Sequence, residues 1–566
     1  MQKQNLKISN QSIADTFALF ALLLELHNEN EFKIRSYNAA IFKIEKIQDA
    51  ISELSQEQIR KIAGIGKSIT EKIIEIIETK TFQELENLLA QTPEGVLKML
   101  KIKGLGAKRV RILWKEAHIT SLEMLSQACE RNQIAQIKGF GEKMQESIKN
   151  ALLFVKLNSD KLLYADALPF AQMIQDYLSR NTDSQDIVIV GDFRRATEVI
   201  ANLELLVRTE NKNLLISCLD EVSFLEKDKK NSGVFVWRGC FKENKLPLDV
   251  HFAEKEDFYQ KNFLLSSSAK HLAYQINGKT LLELASRRGF HSETEIYEQA
   301  GLPYLQPELR EGFFEFNYTD TPSLIENADL KGTLHTHSTY SDGKDSLAAM
   351  AEAAKAFGFS YMGITDHSKS AYYANGLDEK RVAEQQKEID ELNAKNPTFR
   401  IFKGIEADIL SNGDLDYDKE ILKTFDFVVA SIHSNLQMSE SKATQRLIKA
   451  IENPFTTIIG HPTGRLLLRR EGYPLHLPSI IDACAANRVA LEINAHPLRL
   501  DLDWRWVWRA LEKGVKIVIN ADAHDKEGYA YHQFGVLVAR KAGLSKENCL
   551  NTLHTEELER YFRQRK

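Results

Sequence analysis

Seven short apolar runs between residues 329 and 525, each ending in an imidazole or a carboxamide or carboxylate group, constrain this chain more than any other feature. DLKGTLHTHSTYSDG ends in His335, His337 and Asp342, YMGITDHS in His367, and IFKGIEADI in Glu406. FVVASIHSN presents His433, TTIIGHPTGR His461, ALEINAHP Glu492 and Asn494, and KIVINADAHD Asp522 and His524. The order repeats: apolar strand, polar group at its C-terminal end, loop, helix. A β/α barrel gathers its functional groups at one rim in this way.

Nine of these groups are candidate metal ligands: His335, His337, Asp342, His367, Glu406, His433, His461, Asp522 and His524. A lone histidine at a strand end is more often a satisfied core residue, but nine groups at successive strand ends fit two or three divalent ions with positions left open for substrate and water. No cysteine joins the set, so manganese, zinc, iron or magnesium in a hydrolytic centre is expected, manganese first, rather than structural zinc. Such a centre lowers the pKa of bound water towards neutrality and neutralises phosphate oxygens. No Ser or Cys triad offers an alternative nucleophile. Asp342, Glu406, His433 and Arg465 are the candidate catalytic residues. Arg465, just past His461, and Arg499 are candidates for a bidentate phosphate grip, or for pairing with nearby acids. Residues 328–566 resemble the polymerase-and-histidinol-phosphatase (PHP) domain, a metal-dependent phosphoesterase with a distorted (β/α)7 barrel. The resemblance implies that one ion takes His335, His337, Glu406 and Asp522, a second Glu406 and His433, and a third Asp342, His367, His461 and His524.

Residues 1–150 have another character. They read as amphipathic helices and repeat one turn: IAGIGK (Ile62–Lys67), IKGLGA (Ile102–Ala107) and IKGFGE (Ile137–Glu142). The paired glycines Gly64 and Gly66, Gly104 and Gly106, and Gly139 and Gly141 permit positive φ in a tight link. They also leave the first N–H groups of the next helix bare, which suits a phosphate. Lys67, Lys108, Arg109 and Lys143 follow the turns, where they reach the next phosphate. The turns resemble helix-hairpin-helix motifs, which grip the DNA backbone without regard to sequence. These residues carry 22 Lys and Arg against 19 Asp and Glu, a net +3 in a chain of −5, which leaves −8 for the rest.

Between these regions lies SQDIVIVGDFRRATEVIANLELLVRTE (Ser184–Glu210), followed by LPLDVHF with Asp249. By period two, Asn202, Glu204 and Leu206 share one strand face while Leu203, Leu205 and Val207 face a core. Gly191, Arg194, Arg195, Glu198 and Asp249 resemble the nucleotidyltransferase palm of family X DNA polymerases. Asp192, Ala201, Asn202 and Glu204 depart from that pattern, standing where it has a serine, a glycine and two aspartates. Two-metal phosphoryl transfer requires clustered carboxylates about 4 Å apart. Asn offers a neutral carbonyl and Glu a longer arm, so Asn202, Glu204 and Asp249 form a degenerate polymerase site, and neither Mg2+ or Mn2+ in the palm nor a bound dNTP is expected. SSSAKHL (Ser266–Leu272) partly matches the family's thumb and PELRE (Pro307–Glu311) matches it well. Lys72 stands where a family lysine forms a Schiff base with an abasic sugar, although a lysine on an exposed helical face is commonly a solvated charge.

The resemblance to bacterial family X polymerases with a fused PHP domain spans nearly the whole chain. It implies a multidomain α+β and α/β protein. Residues 1–85 are a helix-hairpin-helix domain, 86–155 a fingers-like region with two such motifs, 156–262 a palm and 263–318 a thumb. A linker (319–327) and the PHP domain (328–566) follow. The 566 residues, the five scattered cysteines without a CxxC pair, and the lack of a signal peptide or a ~20-residue apolar run lead us to expect a cytoplasmic protein, nucleoid-associated and monomeric. The expected activity is 3′–5′ exonuclease or 3′-end phosphoesterase action on gapped, nicked or 3′-ended DNA. The alternatives are a gap-filling polymerase with proofreading, a phosphatase of small metabolites, and a non-catalytic scaffold.

Overall fold

A computed structural model describes residues 8–565, except 46, 48, 49, 63, 64, 101, 103, 159 and 185. The chain divides into two compact units, Met1–Ser159 and Asp160–Lys566. In the described residues the first unit is helical. Its core gathers Phe17, Phe20, Leu24, Tyr37, Ile73, Ile76 and Phe82 from the early helices with Val110, Leu113, Leu125 and Ile148 from the later ones. Three of its helices begin at the repeated turns: Lys67–Thr79, Ala107–Lys115 and Gly141–Asn158.

The second unit opens with a mixed five-stranded sheet. Its strands are β1 (Asp186–Val190), β2 (Leu203–Arg208), β3 (Leu225–Lys227), β4 (Val236–Phe241) and β5 (Pro247–Ala253), in spatial order β1-β2-β5-β4-β3. Alternation sends Leu203, Leu205 and Val207 into one core, as their spacing predicts. The opposite face is not left to solvent: Leu206 is buried there with Val190, Ala253 and Phe258. Phe258 begins a cluster of short helices whose core holds Phe263, Ala285, Ile296, Tyr297 and Leu305.

Seven parallel strands follow: β6 (Gly332–Thr333), β7 (Tyr361–Ile364), β8 (Arg400–Asp408), β9 (Phe427–Ser431), β10 (Ile458–Ile459), β11 (Ala490–Asn494) and β12 (Ile517–Asn520). They pair in sequence order. The first and last nearly close the barrel, joined by a bridge between Thr336 and Ala523 and by Leu334 N–H donating to the Asn520 side chain at 2.8 Å. Inside, Leu334, Tyr361, Phe402, Phe427, Val429, Ile458 and Val518 form an apolar plug with Leu558 and Phe562 of the helix Thr555–Arg565. Phe427 and Phe562 stack at 5.0 Å. One end of the barrel is thus filled with hydrocarbon, and the polar groups collect at the C-terminal rim.

Candidate metal centre and nucleic-acid interface

Glu406, near the end of β8, is the hub of the rim and only 1% exposed. Its carboxylate lies within 3.6 Å of five imidazoles: His335 (3.4 Å), His337 (3.6 Å), His367 (2.9 Å), His433 (3.1 Å) and His461 (3.0 Å). Asp522 adds a second carboxylate, 3.1 Å from His337 and 3.5 Å from His335. Asp342 approaches His367 (3.6 Å), His524 (3.4 Å) and His337 (3.8 Å). All nine sequence-predicted ligands therefore meet at one rim. Among the described residues, three sets have donor atoms within 4.8 Å of one another: His337, Asp342, His367 and His524; His335, His337 and Asp522; His367, Glu406 and His433.

The expected grouping put His461 with Asp342, His367 and His524; in the structure its Nε2 lies 3.0 Å from Glu406 and its ring 5.1 Å from that of His433. His461, two residues past β10, has φ of +25°. Asp522 likewise has φ of +54°. Non-glycine residues in this region are strained, and strain of this kind gathers at functional sites.

The donor set fits divalent cations. The ring nitrogens His335 Nε2, His337 Nδ1 and Nε2, His367 Nδ1 and His461 Nδ1 are buried without a hydrogen bond. Several lie close to carboxylates yet misaligned for hydrogen bonding, an arrangement that suits donors converging on a shared ion. Burial alone lowers the imidazoles, but Glu406 and Asp408 outweigh it at His433 and raise it to about 10. His337, by contrast, is pushed down to about 4 by burial and by His524 and His367. Glu406 is buried, yet His433, His335 and His367 hold it well below the usual carboxylate range. A cation entering here must displace the protons that some of these rings carry.

Residues behind the ligands orient them, and sequence reasoning missed most of these. Asp408 Oδ1 accepts from His433 Nδ1 at 2.5 Å, leaving Nε2 to face Glu406. Glu492 is not among the ligand sets; it accepts from His335 Nδ1 at 2.7 Å, His461 N–H at 2.7 Å and Asn520 at 2.9 Å. Asp366 ties down the 335–342 loop through Ser338 N–H (2.8 Å) and Oγ (2.7 Å), Ser341 N–H (3.1 Å) and Gln385 (2.6 Å). The available signal was position: Asp366 precedes His367 and Asp408 lies two residues beyond Glu406, so each sits beside a ligand in the same motif.

Arg465 requires a correction. Its guanidinium donates to Asp503 (2.9 Å), Glu198 (3.3 Å) and the carbonyls of Arg499 (3.0 Å) and Leu500, so it fastens loops rather than facing the ligands. Arg499, partly exposed and 3.8 Å from Asp522, is the guanidinium beside the cluster.

In the five-stranded sheet, Glu204 and Asp249 are register neighbours on parallel strands. Both already have partners: Asp249 accepts from Arg238 Nε at 3.2 Å, and Glu204 is 3.3 Å from His251. Asn202 Oδ1 is buried without a hydrogen bond. A Cβ placed on Gly191 would lie 2.3 Å from Glu204 Oε1, so the longer side chain fills the space over the turn. Asp192 pairs with Arg195.

In the first unit, Gly66, Lys67, Gly106, Lys108 and Lys143 are exposed. Gly64 lies outside the described residues. Gly104, Gly139 and Gly141 have φ of +88°, +93° and +68°. Gly66 and Gly106 do not; both are extended N-caps without a side-chain cap, and a Cβ on either would meet nothing within 4 Å. Neither conformation nor internal packing requires glycine there, which leaves room for an outside backbone against bare helix N–H groups. Arg109 is half-buried and donates to the Gly104 carbonyl at 2.9 Å, so it closes its turn as well as following it. Lys72 is not on an exposed face. It is 8% exposed and pairs with Glu84 at 2.8 Å, and Glu84 and Tyr37 raise its pKa against the effect of burial. A raised pKa disfavours the free amine that a Schiff base requires.

Residues 8–82 match the model of the helix-hairpin-helix domain, 96–152 that of the SAM-like helix-hairpin-helix tandem, and 333–496 that of the PHP domain. The chain is 36% identical over 561 residues to the DNA polymerase/3′–5′ exonuclease PolX of Bacillus subtilis (strain 168), covering 96% of this chain and 97% of that protein. It is also 26% identical over 250 residues to a probable phosphatase of Caldanaerobacter subterraneus, covering 41% of this chain and 91% of that one. A probable phosphatase of Thermoanaerobacter sp. (strain X514) is 29% identical over 176 residues, 29% of this chain and 69% of the relative.

Proposed function

Since the chain belongs to the bacterial PolX family of DNA polymerase/3′–5′ exonucleases, we propose that it is a DNA-bound hydrolase that shortens or trims 3′ ends at the barrel rim, and that its palm has become a scaffold. One contrast carries this reading: nine candidate ligands gathered at one rim, Glu406 among them, against a palm whose two carboxylates are already paired with Arg238 and His251.

Manganese is the ion we assign first, with zinc, iron or magnesium as alternatives, because the donors are imidazole and carboxylate without thiolate. Divalent cations bound there act as Lewis acids towards water and the phosphate oxygens. The chain's own groups do the rest. Glu406 and Asp342 collect the imidazoles, Asp408 fixes the tautomer of His433, and Arg499 offers a fork to the scissile phosphate. The exposed turns at Gly66, Gly106 and Gly139 hold the DNA backbone, so gapped, nicked or 3′-ended DNA is the partner.

The scaffold reading of the palm is supported by what its motif residues touch. Glu198 holds Arg465 of the barrel, and Arg195 and the buried Lys541 of the barrel share Glu311. Arg194 is gripped by Glu293 (2.7 and 3.0 Å), Asn262 and Ser266. These groups brace the unit, and nucleotide binding is absent from the proposed activity. The six-part division into helix-hairpin-helix, fingers, palm, thumb, linker and PHP domains, a monomeric state and a cytoplasmic site of action belong to the same proposal.

The test is a 5′-labelled 3′-ended oligonucleotide with Mn2+, for wild type and His337→Ala. Stepwise shortening that the substitution abolishes supports the reading. Intact DNA beside rapid hydrolysis of a small phosphate monoester would replace it with a metabolite phosphatase.

A further inference from the structure

Two adjacent tyrosines stand out from the rim. Tyr372 is 87% and Tyr373 63% exposed, in the loop that links β7 to the helix Glu379–Lys395. Among the described residues no other tyrosine is as exposed as these two. Their rings are 6.3 Å apart, and the Tyr373 ring is 6.4 Å from that of the candidate ligand His367.

The loop beneath them is firmly held. Ser370 N–H donates to Asp416 at 2.6 Å and its hydroxyl to Asp408 at 3.0 Å. Leu377 N–H donates to His367 O at 2.8 Å, Gly376 N–H to Ala371 O at 3.1 Å, and Arg381 to the carbonyls of Asn375 (2.8 Å) and Gly376 (3.1 Å). Ala371 and Ala374, flanking the tyrosines, are buried. Gly376 packs so closely on Ser368 O that a Cβ there would lie 1.9 Å away. The backbone is thus tied to the metal rim on both sides while two rings project outwards, which is a surface already organised before it binds.

We propose that Tyr372 and Tyr373 form a stacking platform for the nucleobase at the 3′ terminus, so that the centre selects an unpaired 3′ end. This rests on the proposed 3′-end hydrolysis. A base swung out of its pair offers its whole face to these rings, and stacking on an aromatic face accepts any base. The phosphodiester that joins this terminal nucleoside to its 5′ neighbour then reaches a rim whose candidate ligands lie beside Tyr373.

The experiment uses the full chain with Mn2+ and two 5′-labelled single strands, identical except that one has an abasic 3′-terminal nucleotide. Wild type should prefer the base-bearing end by about tenfold to a hundredfold in kcat/KM, the range of one stacked base. Tyr372→Ala/Tyr373→Ala should lose that preference, and Tyr372→Phe/Tyr373→Phe should keep it. A paired 3′ terminus should be cut more slowly than an unpaired one by wild type and at nearly the same relative rate by the alanine variant. An alanine variant that retains the preference would overturn the platform and leave the 3′-end reading intact. A wild type that cuts neither strand yet hydrolyses a phosphate monoester would overturn both.

Discussion

Glu293 offers a sharp test of the claim that palm residues brace the fold. Its carboxylate is 7% exposed, with Arg194 on both oxygens (2.7 and 3.0 Å) and the fully buried Arg310 at 2.7 Å. Burial would raise its pKa, but Arg310 and Arg194 outweigh burial and hold it at about 2, against an ordinary value of 4.5. At 1.36 kcal/mol per unit, that difference contributes about 3 kcal/mol. Because the folded-state pKa is depressed, this stability is present above pH 4.5 and fades as pH falls towards 2. Glu293→Gln should therefore cost about 3 kcal/mol at pH 7, and stranding Arg310 without a counter-charge places the loss in the usual range for a broken buried pair. Urea unfolding of both proteins, followed by tryptophan fluorescence, should show that gap at pH 7 and a steadily closing gap from pH 4.5 down to 3. A gap below 1 kcal/mol at pH 7, or one that does not change with acid, would refute the reasoning.

Asp408→Ala removes the partner of His433 Nδ1 and should weaken metal binding or hydrolysis about 10- to 100-fold, as measured by Mn2+ titration and initial rates, with the fold unchanged by circular dichroism. Chelation should abolish hydrolysis and lower Tm, and Mn2+ at about 100 times its Kd should restore about 2.7 kcal/mol of stability, which differential scanning fluorimetry reads. Phe562→Ala opens the plug under the barrel and should cost about 3–5 kcal/mol, seen in the denaturant midpoint. Lys67→Ala, Lys108→Ala and Lys143→Ala should each weaken DNA binding alike across sequences and reduce the salt slope by about one, as measured by fluorescence anisotropy.

The barrel was legible because each strand is a compact apolar run with its ligand at a fixed end, a local signal that needs no knowledge of distant residues. The paired-glycine turns were legible for the same reason. What stayed hidden is long-range. Arg465 looks like a phosphate grip until Asp503 and Glu198 are brought to it, the latter from 267 positions away. Lys72 is read as solvated from its charge alone, but helical period puts it on the face of Ile69, Ile73 and Ile76, and Glu84 of the following helix pairs with it there. Leu206 looks solvent-facing because period two assumes one wet face, whereas Phe258 covers that face. The contact of His461 with Glu406, 55 positions away, is likewise long-range.

The central claim is that chemistry resides in the barrel and not in the palm. A 5′-labelled gapped primer–template with Mn2+, incubated with and without dNTPs, measures both at once, with His337→Ala and Asp249→Ala as controls. The account predicts primer shortening in both reactions, lost in His337→Ala and unchanged in Asp249→Ala. Extension of the primer with dNTPs, abolished by Asp249→Ala, would contradict it.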